Sequence, residues 1–509
     1  MQFSFGFWIA TSSIHYLVLS KSYLMATLFS CETGTLAPYV PSADMPWNAR
    51  RAQHLYRRLA FGATYDTIQA ALAQNPSDLV DALIDEALAM PLPDPPPWAN
   101  WTVDDYDPDM VDDQIFEQFL SWNYLWMQGM VQNGLRDKLA LFWSNHFVTR
   151  FESYFCPSYM YEYHKILQQY ALGNFKEFTK AIGITPAMLI FLNGVENNKF
   201  EPNENYAREL YELFTLGADN GYTQQDIVET ARALTGWNGL DVYCGPIEFV
   251  PFFHDDGEKT IFGQTGNWGY DDVHDILFAE RPDEVATHVC RKIYKYFVSP
   301  QVDEDIVAQL AQTFKDNNFE LEPVYRQLFK SEHFFHDNNI GVKIKSPLEM
   351  GLGIPAQTGL VLDQDVLEGV RYLSEMLGQD LFSPIDVAGW PGDQAWINSG
   401  TLTGRWLTAD YYLYYVLDNF LDSLRDFAVN LVGGYSNDPY LITEAIVEQL
   451  LPEGLQTPEA LEQAVTVFKW EVPQNYYDQG IWNLGWETAP YQVAALIQHI
   501  ARKPEFQLC

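Results

Sequence analysis

The stretch NENYARELYELF, residues 203–214, packs three carboxylates, one guanidinium and two side-chain amides into little more than three helical turns. Read at 3.6 residues per turn, it decides the fold class. Tyr206, Leu210, Leu213 and Phe214 fall on one face, so the segment from Glu204 to Leu216 is an amphipathic helix with one side to bury. On a neighbouring face Glu204, Arg208 and Glu212 recur at i, i+4 and i+8, the spacing of a carboxylate–guanidinium–carboxylate ladder. Glu209 and Glu212 stand one turn apart, where two helical carboxylates can share a cation.

The next helix announces its start. Thr223-Gln-Gln-Asp226 is a capping-box variant, Ile227, Ala231 and Leu234 mark the apolar face, and Gly236 stops the helix before Trp237. Joined by GADNGYT, the two helices form an αα-hairpin, and Glu229 and Arg232 repeat the acid–base theme on the second.

The same periodicity dominates the chain. RAQHLYRRLAFG (51–62) sets Leu55 and Leu59 at helical spacing with basic residues opposite. Residues 66–90 read as two short helices split at Asn75-Pro-Ser-Asp78, with Ser77 as the N-cap. The Pro- and Asp-rich run PLPDPPPWANWTVDDYDPDM (91–110) cannot propagate a helix, and it lacks the Gly and Glu positions of an EF-hand. Helices follow from Asp112 to Val148 and over 157–193. The one strong strand signal is EFVPFFHDDGEKTIFG (248–263), two apolar runs flanking the tight-turn dipeptide Asp256-Gly257, with Pro251 holding the first strand at an edge. Helices resume through about 380 and again over 404–503, without an internal repeat. The expected fold is mainly α: a large multi-helix array with a small β-hairpin near 248–263, in one domain over 47–508.

At 509 residues, 47% apolar and 15% aromatic, the chain has enough apolar surface for a sizeable core. Lys and Arg total 30 against 68 Asp and Glu, a net charge of −38. Such a surface repels phosphate, which excludes nucleic acid and anionic membrane as partners and suits cations or cationic proteins. Five cysteines without a C-x-x-C exclude a zinc ribbon and a dense disulfide framework, and leave a single bridge, Cys156 to Cys244, open.

Residues 1–46 read as an N-terminal segment, either an export signal or a mis-called start. FGFWIATSSIHYLVLS is apolar but has no basic leader. KSYLMATLFSC ends at Leu28-Phe-Ser-Cys31, a loose match to a lipoprotein cleavage box with a poor fit at Phe29, and Met25 offers a later start. Nothing downstream reaches the length of a transmembrane anchor. The expected location is extracytoplasmic: periplasm, envelope or secreted.

The candidate chemistry centres on the hairpin. His146, Glu209, Glu212, His254 and Asp255 are the catalytic candidates, with His254-Asp255 as a base and its orienting acid. Glu204, Arg208, Glu229 and Arg232 supply a polar network around them. Neutral imidazole is a common metal ligand, so His146, Glu212 and His254 are metal candidates and a divalent ion is the one cofactor the residues suggest. Spacing argues against it, since neither His-Glu-x-x-His nor the Glu-x-x-His of di-iron bundles occurs. No G-x-S-x-G, P-loop or G-x-G-x-x-G is present. GWPGDQAW (389–396) is a candidate binding loop, because Trp390 and Trp396 beside Asp393 on Gly/Pro-rich backbone can stack on sugars or partner side chains. Each has a plainer reading: a structural ion-pair network, a core histidine among Phe142, Trp143 and Phe147, turn chemistry at Asp255, and Trp390 plugged into the core.

RRLAFG (57–62), DKLALFWSNHFVT (137–149), PNENYARELYELFTLG (202–217), GYTQQDIVETARALTGW (221–237), HDDGEKTIFG (254–263), KSPLEM (345–350), GQDLFSPIDVAGWPG (378–392) and PEFQL (504–508) occur in an order that resembles the bacterial family called domain of unknown function 1800. The resemblance covers about residues 47–508. It implies a large, mainly helical protein, often with an export signal and often encoded beside a sulfatase-like family, with no established activity. Many relatives carry His where Ser144 stands and Asp where Asn193 stands, so this chain lacks two of their plausible ligands. Two functions follow: a hydrolase-like enzyme with a buried acidic, Arg and His pocket acting on an extracytoplasmic polymer, or a non-catalytic binding or assembly protein with a secreted, sulfatase-like partner or a glycan. The residues leave open whether the chain is an enzyme.

Overall fold

A computed structural model describes residues 34–238, 244–451 and 453–509. The export-signal and start-codon readings, Cys31 included, lie outside these residues. Helices run from Ala49–Leu59 to Ala489–Ala501, and among the described residues the strands form two two-stranded antiparallel sheets. The fold is mainly α, as the periodicity requires.

One continuous core holds the helices together, and its wide seams are aromatic. Trp143 is sealed among His146, Phe147, Phe175 and Phe178, and its indole N–H donates to the Ala171 carbonyl at 3.2 Å. Leu36 and Tyr39 are buried as well, and the Tyr39 amide bonds the Lys330 carbonyl. The packed body therefore takes in chain before residue 47.

Start signals in the sequence reappear as caps. Thr223 and Asp226 form a reciprocal capping box, and so do Ser346 and Glu349. At the second split the cap is Asn75, whose side chain accepts from the Ser77 and Asp78 amides, leaving Pro76 to open the helix in place of the expected Ser77 cap. The basic face of Ala49–Leu59 also turns inward. Arg51, Arg57 and Arg58 are buried, bonding Asp337, Gln357 and the Asn339 carbonyl, because a helix inside a chain of this size has no free face.

The β signal is placed differently from its reading. Glu248–Phe249 pairs with Trp237–Asn238, and Pro251–Phe253 is a short 3-10 turn. The hairpin joins Lys259–Ile261 to Gln264–Gly266 and turns at Phe262-Gly263, both with positive φ (49° and 83°), as a two-residue primed turn demands. Asp256-Gly257 is instead the end of a loop in which Asp255 accepts from the Gly257 amide. A disulfide joins Cys156, ahead of the Pro157–Tyr170 helix, to Cys244, just before the strand Glu248–Phe249.

Candidate functional site

The opening helix changes pitch. Residues Asn205–Glu209 are α-helical, and Leu210–Thr215 widen into a π turn in which the Leu216 amide reaches back to the Tyr211 carbonyl at 2.9 Å. Gly217 shares that carbonyl, so no backbone amide reaches Leu213 or Phe214. Their oxygens take side-chain donors instead. His146 Nε2 donates to the Phe214 carbonyl at 3.0 Å, and Lys292 and His288 donate to that of Leu213 at 2.9 and 3.1 Å. With its proton on Nε2, His146 accepts at Nδ1 from Lys292 Nζ, 3.1 Å away.

Burial governs the ionisation of this cluster. It pushes His146 well below the ordinary imidazole range, His288 down to about 4 and Lys292 down to about 8. His146 is buried with both ring nitrogens occupied, so it caps a helix end and has no nitrogen left for catalysis.

The acid–arginine ladder forms at the spacing read from sequence, but it faces outward. Arg208 bonds Glu204 at 3.0 Å and Glu212 at 3.3 Å, each partner about a third exposed. Gln224 on the second helix accepts from Arg208 and donates to Glu204, which ties the hairpin together. At this exposure each pair is worth about 0.2–0.5 kcal/mol. Glu209 is half-buried, and burial, followed by the Glu212 charge, raises its carboxyl despite Arg208.

Glu229, Arg232 and Asp255 form a second, separate network. Arg232 donates to both carboxylates at 2.7 Å, and Glu229 also accepts the Thr260 amide at 3.3 Å. Burial works to raise Asp255, but bonds from Arg232 and the Gly257 amide hold it below the usual range. Asp255 is thus spent on Arg232 and does not orient His254. That role falls to backbone, since His254 Nδ1 donates to the Thr235 carbonyl at 2.9 Å, which leaves Nε2 as its basic nitrogen.

The eight residues expected to share one cavity are therefore divided among separate settings. Among the described residues no three His, Cys, Asp or Glu side chains gather to hold a metal ion, and His146, Glu212 and His254 each have partners of their own. The tryptophans of the 389–396 loop are buried as well. The Trp390 amide bonds Asn145 Oδ1 at 2.6 Å, and a Cβ on Gly389 would lie 2.2 Å from that oxygen, so the loop closes on the residue beside His146. Asp393 accepts the Ile344 amide at 3.3 Å. These rings plug the core.

One predicted residue does meet open space. His254 lines a cleft of about 520 Å³ whose wall carries the rings of Trp237, Phe249, Tyr170 and Tyr270. Phe249 packs on both Trp237 and His254, with ring centroids 5.8 and 5.4 Å apart. Glu177, Asp271 and Asp272 add carboxylates to the cleft, and Lys180 bonds Asp271 at 3.4 Å and Asp275 at 3.1 Å. The Tyr270 hydroxyl donates to the Lys180 carbonyl at 2.7 Å, which fixes its ring on the wall. Periodicity could not find this site, because its residues come from four distant segments. A local clue existed in Gly236-Trp237, an aromatic residue set directly after a helix stop.

Such a surface offers flat apolar faces ringed by hydrogen-bonding groups, with an imidazole whose basic nitrogen is defined. No curated protein and no solved structure matches the chain. It does match, over residues 54–508, the profile of a family described as "Protein of unknown function (DUF1800)", and the protein belongs to that family.

Proposed function

We propose that the protein is exported and acts as a hydrolase-like enzyme on a hydroxyl-rich extracytoplasmic polymer, a glycan, bound in the cleft of Trp237, Tyr270 and His254. The observation that carries this reading is the composition of the cleft wall. Aromatic faces stack on the apolar faces of sugar rings while carboxylates and Lys180 bond the hydroxyls. His254 is the general base or acid of this reading, oriented by the Thr235 carbonyl. The Cys156–Cys244 bridge supports export, because disulfides persist in oxidising compartments.

The test is titration of the purified protein with soluble oligosaccharides cut from envelope and extracellular glycans, read by tryptophan fluorescence and by release of reducing ends. Binding should weaken at least tenfold in Trp237→Ala, and release should vanish in His254→Ala while binding persists. Binding that Trp237→Ala leaves unchanged would remove the cleft from the reading. Binding without release in the native protein would reduce it to a glycan-binding module.

A further inference from the structure

The helices Gln364–Met376 and Ser399–Asn419 lie side by side, and both keep large apolar side chains in water. Tyr372 and Met376, at i and i+4, are 58% and 63% exposed. Leu407, Tyr411 and Tyr414, at i, i+4 and i+7, are 50%, 44% and 61% exposed. Helical stripes of this kind normally face a core.

Two glycines merge the stripes into one face. Tyr411 lies over Gly369, where a Cβ would meet its ring at 2.0 Å, and Leu377 lies over Gly404, where a Cβ would meet it at 2.8 Å. The contacts 369 with 411 and 377 with 404 run in opposite directions, so the helices are antiparallel and Tyr372 and Met376 flank Leu407 and Tyr411. Tyrosine and methionine are enriched in protein interfaces, and isolated exposed residues would not line up in this way.

The rim fixes the partner. Asp365, Glu368, Glu375 and Asp418 are exposed around the face, and Arg371 is already bonded to Glu375 at 3.1 Å. A second copy of a chain with net charge −38 would bring an equally acidic rim, and an anionic membrane would be repelled for the same reason. We infer that this face, formed by Tyr372, Met376, Leu407, Tyr411 and Tyr414, docks a basic protein that presents apolar side chains among lysines or arginines. Charge would steer the encounter and the aromatic centre would hold it.

The experiment uses the full-length protein and a fluorescein-labelled amphipathic peptide with leucines at helical spacing and lysines elsewhere, followed by anisotropy at 50 and 300 mM salt. Tyr372→Ser with Tyr414→Ser should weaken binding at least tenfold at both salt concentrations, while Phe116→Ser, another exposed aromatic beside acidic residues, should leave it unchanged. Equal affinity in the patch variant and the native protein would overturn the proposal. So would concentration-dependent self-association in sedimentation, or flotation with vesicles of anionic lipid, that the same patch variant abolishes. Circular dichroism of each variant confirms that the helices remain.

Discussion

Lys292 donates from Nζ to Nδ1 of His146 across 3.1 Å, so a cation and an imidazole share the task of closing the carboxyl end of the opening helix. Their other bonds run to adjacent carbonyls, of Leu213 and Phe214, exposed by the π turn. A positive group at a helix C-terminus also meets the negative end of the helix dipole.

Replacing Lys292 by Met should leave His146 Nδ1 without a donor and the Leu213 carbonyl with His288 alone, at a cost of about 1–3 kcal/mol. Burial holds the folded pKa of Lys292 near 8, below the ordinary value of 10.5, so the folded state releases its proton first. Stability of the native protein should therefore gain a contribution as pH rises from 8 to 10.5, and Lys292→Met should lose that slope. Urea unfolding at pH 7, 9 and 10 reads both effects.

Acid should destabilise the fold earlier than carboxylates alone would. Burial pushes His54 and His146 well below 6.5, His164 to about 3, and His274 and His288 to about 4. Between these values and 6.5 the unfolded chain takes up protons that the folded one refuses, so stability falls as pH falls below 6.5. Each histidine contributes at most about 1.4 kcal/mol per pH unit. Unfolding free energies at pH 7, 6 and 5 should decline steadily, and a flat profile would contradict the burial of these rings.

Glu349 gives a second acid-sensitive element in a lower window. Burial pushes its carboxyl up, but the Lys138 and Lys343 charges and the bond from Lys138 hold it at about 2, beneath an ordinary value of 4.5. Its contribution is present above pH 4.5 and disappears as pH falls toward 2. Glu349→Gln should cost about 3–5 kcal/mol at pH 7, because Lys138 is left buried without its counter-charge. Chemical denaturation measures it, and Glu349→Gln with Lys138→Met together should recover part of the loss.

Cys244→Ser should lower stability by about 2–4 kcal/mol, since the bridge to Cys156 closes a loop spanning 88 positions in the unfolded chain. Reductant should reproduce that loss in the native protein and add nothing to the variant. Paired urea melts with and without dithiothreitol decide it.

How much of this was legible in the sequence depends on range. Thr223 with Asp226, and Ser346 with Glu349, announce their helices because a cap is satisfied within three residues. The Arg208 ladder is likewise local, and it forms at its i, i+4 spacing even though the pitch widens beyond Glu209. Which side the ladder faces was not legible, since the ring of helices around Arg208 is set by contacts far along the chain. The π turn left no local mark either. Its warrant lies in Lys292 and His288, some 75 residues downstream, whose bonds repay the uncapped carbonyls. The cleft escaped notice for the same reason. Trp237 and Tyr270 meet Tyr170 and Lys180 only after four segments have packed.

The widened turn also sets a phase. Each residue of a regular helix rotates the next by about 100°, so removing a single residue between Leu210 and Thr215 would restore ordinary pitch and swing everything beyond it round the axis. The two oxygens that now meet His146 and Lys292 would point elsewhere, stranding a buried amine and two imidazoles. A one-residue deletion here should thus be far more damaging than most point substitutions, and the length of this segment is as much a part of the protein's design as its composition.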